Sequence, residues 1–265
     1  MQTIYRKKHH PAGPCISADR MYITGNDLNQ TRSAMEMRTV IPVPKIENDS
    51  YDWYARHEEK LAAVKADPSA KIIFLGDSIT HFWSGETGTD YGSAVWRKYF
   101  TGLPVLNLGY GFDRTQNVLW RIEHGELDGL QPELFIVNIG TNQFSITPNY
   151  SGDTPEETVE GIRCIDQLLH RRFPDAEIIQ MALFPRRNKH DEIVETNRLL
   201  HLYAATTPYI HLIDLTGRLG DPEGNPIPEY FRPDQCHLAP PGYQVWAEAL
   251  MPHLTRFLPQ DAAPR

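Results

Sequence analysis

Glu133-Leu134-Phe135-Ile136-Val137-Asn138-Ile139 is an apolar, β-branched run of strand length that ends in Gly140-Thr141-Asn142. A strand without polar alternation is buried on both faces, as in sheets that carry helices on either side. Lys71-Ile72-Ile73-Phe74-Leu75-Gly76 has the same character and stops at Asp77-Ser78-Ile79-Thr80. Outward from these two runs, the pattern predicts strands at 71–76, 104–108, 133–139, 177–183 and 209–213. Helices are predicted at 93–100, 114–124, 155–172, 191–205 and 241–256. Buried strands alternating with helices imply a parallel sheet joined by right-handed crossovers. The expected fold class is α/β: a three-layer α/β/α sandwich on a five-stranded parallel sheet of flavodoxin-like type.

A chain of 265 residues suits one large domain with an irregular leader. Residues 1–40 read as a polar, mobile leader, and 41–66 as an extended segment (Ile41-Pro42-Val43-Pro44) followed by a helix. That helix spans Tyr51 to Lys65, with Trp53, Tyr54, His57, Leu61 and Val64 at helical spacing. The segment either packs over the domain or mediates self-association as a homodimer. The domain proper spans 67–258, and 259–265 is a tail. No run approaches the roughly 18–20 apolar residues of a membrane span. A net charge of −8 and a pI near 5.8 argue against nucleic acid as a partner. Cys15, Cys164 and Cys236 are too few and scattered for a disulfide framework or a zinc site, so a reduced, cytoplasmic chain is expected. Arg6, Lys7 and Lys8 are followed by polar residues rather than an apolar h-region, so the sequence as written shows no secretory signal. His9-His10 lies too near the terminus to read as a metal site. No metal and no cofactor is expected.

In a parallel sheet, Gly76-Asp77-Ser78, Gly109-Tyr110-Gly111-Phe112-Asp113 and Gly140-Thr141-Asn142 all fall at strand ends along one edge, so they converge in space. The Gly- and Pro-rich connection from Gly217 to Arg232 delivers Asp234-Gln235-Cys236-His237 as a loop. A serine hydroxyl is a weak nucleophile until a base takes its proton. His237 can do so if its other ring nitrogen is held by a carboxylate, and Asp234 is three residues away. Asp214, at the end of the last strand, is the only rival acid. Attack on an ester makes a tetrahedral oxyanion, for which the backbone N–H groups of Ser78 and Gly109 and the side-chain amide of Asn142 offer three donors.

Gly-Asp-Ser-Ile, Asn-x-Gly-x-Gly, Gly-Thr-Asn and Asp-x-x-His, in this order, resemble the four blocks of the SGNH (GDSL-type) hydrolase family. Asn107-Leu108-Gly109-Tyr110-Gly111-Phe112-Asp113-Arg114-Thr115 through Val118-Leu119-Trp120-Arg121, with Gly125-Glu126-Leu127, is similar to its platelet-activating-factor acetylhydrolase branch. The resemblance covers about residues 70–257. It implies a metal-free acyl-ester hydrolase with Ser78 as nucleophile, His237 as base, Asp234 as its partner, and Gly109 and Asn142 in the oxyanion hole beside the Ser78 amide. Residues 67–258 are then the catalytic domain.

The expected activity is hydrolysis of short-chain, above all acetyl, esters of a carbohydrate or other small molecule. No long apolar lid is visible to cover a fatty chain, and Trp53, Tyr54 and Trp83 would stack on a sugar. The alternatives are a phospholipid acetylhydrolase or lysophospholipase and, in another class, a non-catalytic binding module. Asp113-x-x-Gln116 reads as a capping box and Asp77 as the residue that fixes the turn around Ser78. His81, Phe82 and Trp83 either line the pocket mouth or pack the following turn. The Cys236 side chain is expected to point away from the Asp234–His237 face. Arg186-Arg187 with Lys189 and His190 reads as a solvated loop, the alternative being a site for an anionic substrate group. The absence of Gly-x-Ser-x-Gly disfavours the α/β-hydrolase fold with its nucleophile elbow, and no His-Glu-x-x-His points to zinc.

Overall fold

The computed structural model describes residues 37–45, 47, 51–85 and 91–258. The leader up to residue 36, with His9, His10 and Cys15, and the 259–265 tail lie outside the described residues. The last residues assigned to the leader are built into the protein. Arg38–Val40 form a 3-10 turn in which Thr39 is buried, and Arg38 donates to Gly152 O and Asp153 Oδ1.

Five strands, β1 (Ile72–Gly76), β2 (Val105–Gly109), β3 (Leu134–Asn138), β4 (Glu177–Met181) and β5 (Ile210–Ile213), form one parallel sheet in the order β2-β1-β3-β4-β5. The order reverses at β1, which pairs with both β2 and β3 in a common register (Gly76 beside Gly109 and Asn138). The fold is therefore the expected three-layer α/β sandwich, with a switch point over the β1 and β3 ends. Both strands are buried at every residue, as their unbroken apolar runs require.

Side chains alternate across the sheet, and each face meets its own helices. Ile72, Phe74, Leu134, Ile136, Ile179 and Met181 share one core with Trp83, with Val95 and Phe100 of α3 (Ser93–Phe100), and with Trp246 and Leu250 of α8 (Pro240–Leu254). Trp83 stacks on Trp246 at 4.4 Å between centroids, and Phe74 meets both rings edge-on. Full burial of one such side chain contributes about 1.5–3 kcal/mol relative to exposure. On the other face lie α4 (Thr115–Glu123), α5 (Pro155–Arg172) and α6 (His190–Ala205). The α5 bounds are those expected from sequence because its start is encoded locally. Thr154 Oγ1 accepts from Glu157 N, Glu157 Oε2 accepts from Thr154 N, and Pro155 occupies the first helical position.

Helix α1 (Trp53–Ala66) is capped by Asp52, whose side chain accepts from Ala55 N. It docks beside the β2 end through Trp53 Nε1, which donates to Asp113 Oδ1, and Arg56 Nε, which donates to Gly109 O. Two short helices had no sequence signal. They are α2 (Ser78–His81), capped by Asp77 Oδ1 accepting from Ile79 N, and α7 (Thr216–Leu219), at the head of the connection expected as a loop. Among the described residues no helix is long and apolar enough to cross a membrane.

Candidate active site

The strand ends and the Asp234–His237 loop converge as the topology requires. His237 Nε2 lies 2.8 Å from Ser78 Oγ, and His237 Nδ1 lies 2.8 Å from Asp234 Oδ2. Asp234 Oδ1 also accepts from the main-chain N–H groups of Cys236 and His237, at 3.0 Å each. One carboxylate thus folds the loop and orients the ring, which is what a three-residue spacing provides. A Phe231–Leu238 bridge and a bond from Arg232 N to His237 O close the loop, with Gln235 in the left-handed region at φ 52°. Phe82 and Tyr91 flank the imidazole at 5.4 and 5.6 Å. Burial raises the Asp234 pKa, but the hydrogen bonds from His237 outweigh it and hold the carboxyl below the usual carboxylate range. Asp214, the rival acid, is committed elsewhere, to His201 and Thr216.

A cleft of about 350 Å³ opens over this chain of side chains, lined by Ser78, Phe82, Gly111, Phe112, Asn142 and His237 among others. Asn142 follows Gly140, whose φ of 128° turns the chain out of β3 into the 3-10 turn Thr141–Phe144. Asn142 is held at both ends: Nδ2 donates to Asp113 O at 3.1 Å, and its own carbonyl accepts from Arg114 Nε at 3.1 Å. One amide hydrogen remains for a ligand.

Gly109 does not reach the cleft, and its assignment as an oxyanion donor is corrected. Its N–H donates to Asn107 Oδ1 at 2.9 Å, and its α-carbon packs so closely on α2 that a Cβ would come within 2.4 Å of His81 N. The glycine is needed there for close packing. Phe112, three residues on, lines the cleft. Phe112 is held at φ 61°, and among the described residues its N–H has no partner. A phenylalanine in this region is strained by about 1–2 kcal/mol, so surrounding contacts must impose the conformation. They include the Gly111 N–H, which donates to His81 Nδ1 at 2.9 Å. His81 is fully buried, and burial with the nearby Arg56 and Lys60 charges lowers its pKa to about 2, so the ring stays a neutral acceptor. Neither His81 nor Phe112 carried a sequence signal for these roles.

Asp113 is not a helix cap. Its buried carboxylate accepts from Trp53 Nε1 at 2.7 Å and Arg121 Nε at 2.8 Å, while Asn117 Oδ1 accepts from Arg114 N at the helix start. Phe82 lines the cleft, whereas Trp83 and Trp53 are buried in packing and unavailable to stack on a sugar. Cys236 also lines the cleft, and burial pushes its thiol up to about 11. Arg186 and Arg187 line it too, on a turn whose Arg187 and Asn188 are exposed, so the loop meets solvent and also borders the cleft. Among the described residues no cluster of His, Cys, Asp and Glu has metal-holding geometry.

Burial raises the Asp77 pKa to about 7, against the Ile79 N–H bond that opposes the shift. The native state therefore holds this proton more tightly than the unfolded chain, and stability is lost as pH rises from about 4 to about 7. Asp77→Asn keeps the Oδ1 acceptor and removes the ionisation. Its stability relative to wild type is expected to improve by on the order of 4 kcal/mol between pH 4 and pH 8, measured by urea denaturation at both. A pH-independent difference would refute the assignment.

A family model described as GDSL-like lipase/acylhydrolase matches residues 74–245. Platelet-activating factor acetylhydrolase IB subunit alpha1 of Homo sapiens is 32% identical over 224 residues, covering 83% of this chain and 90% of that protein. The alpha2 subunit of Rattus norvegicus is 31% identical over 169 residues, covering 62% of this chain and 67% of that protein. A solved GDSL-like lipase from Bacteroides thetaiotaomicron shares the fold, with a TM-score of 0.63 at 19% identity, covering 77% of this chain and 98% of that one. An acetyl esterase structure aligns with a TM-score of 0.52 at 16% identity, covering 71% and 97%. A match to that family model across most of the chain, with relatives more than 30% identical over most of their length, makes this protein a member of the GDSL-like lipase/acylhydrolase family and an ester hydrolase.

Proposed function

We propose that the protein is a serine esterase that hydrolyses short-chain, above all acetyl, esters of small molecules through a Ser78–His237–Asp234 triad. The observation that carries this reading is the continuous Asp234–His237–Ser78 chain, 2.8 Å at each link, opening on the cleft. His237 Nε2 takes the Ser78 proton as Oγ bonds to the acyl carbon, and Asp234 stabilises the imidazolium through Nδ1–H. The oxyanion is met by the N–H groups of Ser78 and Phe112 and by Asn142 Nδ2. Collapse of the tetrahedral species breaks the bond to the alcohol oxygen, which leaves with the proton from Nε2. A water, deprotonated by His237, then attacks the acyl-enzyme, and the acid departs as the serine recovers its proton. The small cleft and the acetylhydrolase name of the curated relatives both favour a short acyl group. That name also motivates a second reading, a phospholipid acetylhydrolase with the same chemistry and a larger alcohol.

The test is release of p-nitrophenol from acetate, butyrate and octanoate esters, with acetate expected fastest. A preference for octanoate would refute the short-acyl reading. Asn142→Ala is expected to lower kcat about a hundred- to a thousandfold with little change in KM, since its donor acts mainly on the developing oxyanion. A loss confined to KM would remove Asn142 from that role.

A further inference from the structure

We infer that the alcohol part of the substrate carries an oxyanion group, a carboxylate or phosphate, held by Arg187 with Arg186 beside it. The inference rests on the esterase reading above and names its substrate class. In a chain of net charge −8, most described arginines have a carboxylate partner, including the buried Arg114 and Arg121, the half-buried Arg172 and the exposed Arg198 and Arg256. Arg186 and Arg187 have none among the described residues, and both line the reactive cleft.

Arg186 is fixed by neutral partners. Its Nη1 donates to Thr141 O at 2.6 Å, and its Nη2 donates to Ser145 Oγ at 3.1 Å, so none of these hydrogen bonds goes to a carboxylate. That charge reaches into the site, since it lowers the pKa of both Asp77 and Cys236 against the dominant effect of burial. Arg187 is exposed, and its guanidinium has no hydrogen-bond partner among the described residues. Its main-chain N–H donates to Gln235 O at 3.0 Å, which ties it to the loop that carries His237. Asn188, at φ 61°, completes the turn and adds an amide to the same wall. A third cation, Arg232, sits 4.6 Å over the Tyr91 ring that flanks His237.

The side of the substrate follows from the mechanism. The leaving alcohol oxygen receives its proton from His237, so the alcohol lies on the His237 side, where Arg187 is anchored. A planar guanidinium with no protein acceptor matches a two-oxygen face of a carboxylate or phosphate. Arg187 is a specificity-determining residue in this assignment and has no part in the bond-making steps.

The experiment compares para-acetoxybenzoate with its uncharged methyl ester, and para-acetoxyphenyl phosphate as a second anionic arm. The methyl ester has the better leaving group, so any preference for the benzoate runs against intrinsic reactivity. Wild type is expected to favour at least one anionic ester over the methyl ester by roughly tenfold or more in kcat/KM, and the favoured arm says which oxyanion fits. Arg187→Ala is expected to bring that ratio to about one through KM, Arg187→Lys to keep part of it, and Arg187→Glu to invert it. Raised salt shrinks the wild-type ratio. Arg256→Ala, which removes an arginine paired with Glu177 at the start of β4, is expected to keep the wild-type ratio. Turnover of the methyl ester with no preference for either anion overturns the inference alone. A wild-type preference that survives in Arg187→Ala overturns the role of Arg187. No turnover of any ester by folded wild type overturns the esterase reading and this inference with it.

Discussion

Ser78→Ala is expected to lower kcat/KM for p-nitrophenyl acetate by about ten-thousandfold or more, with the melting temperature close to wild type. In the proposed mechanism the Ser78 hydroxyl oxygen is the atom that bonds to the acyl carbon, so its removal leaves only the oxyanion donors and binding, worth a small residual over water. Ser78 sits at the start of α2, where its neighbour Asp77 caps the helix, so the fold does not depend on the hydroxyl. A fluorophosphonate probe is expected to label wild type and not the variant. Labelling or turnover that persists in Ser78→Ala would move the nucleophile elsewhere. His237→Ala behaves alike on this account, and the double variant loses little more, because the two act as one unit.

The largest stability effect is expected at Arg121. This side chain is fully buried, with Asp113 at 2.8 Å, Glu126 in contact, and its guanidinium 3.8 Å over the Tyr110 ring. Burial lowers the Arg121 pKa, but the two carboxylates outweigh it and leave the guanidinium firmly charged. Burial has already raised Asp113 to about 6, with Arg121 opposing. Arg121→Met leaves two carboxyls buried without their cation, a loss of about 3–5 kcal/mol and a fall in melting temperature of about 10 °C. The loss is expected to grow with pH, since the unpaired carboxyls are tolerable only when protonated. Adding Asp113→Asn and Glu126→Gln to Arg121→Met is expected to recover part of it. Equal stability of Arg121→Met and wild type at pH 8 would refute this account. Activity is expected to fall with stability, because Asp113 O receives the Asn142 amide.

Much of the architecture was legible because it is written in local patterns. Continuous apolar runs placed all five strands to within about two residues, and α5 lies at its expected bounds. Strand ends in a parallel sheet suffice to bring Ser78 and Asn142 to one edge, which the Asp234–His237 loop then joins. Helices of a single turn were missed: α2 and α7 span four residues each, too few for a period to repeat and register. Asp113 was misread because a cap and a buried ion-pair acceptor share the same residue type, and only the positions of Trp53 and Arg121 distinguish them.

By itself, then, the sequence determined the parallel α/β sandwich, the esterase family, and which serine, aspartate and histidine come together, since each follows from patterning, strand ends or a three-residue spacing. Tertiary structure alone decided which backbone amide near the cleft is already taken and which has no partner among the described residues. An N–H is the same group at every position, and its availability depends on where neighbouring side chains point. Asn107 occupies the Gly109 amide, while the left-handed turn at Phe112 leaves that amide free. It also decided that Arg186 and Arg187 border the reactive cleft, because whether a charged loop meets solvent or substrate depends on what packs beside it.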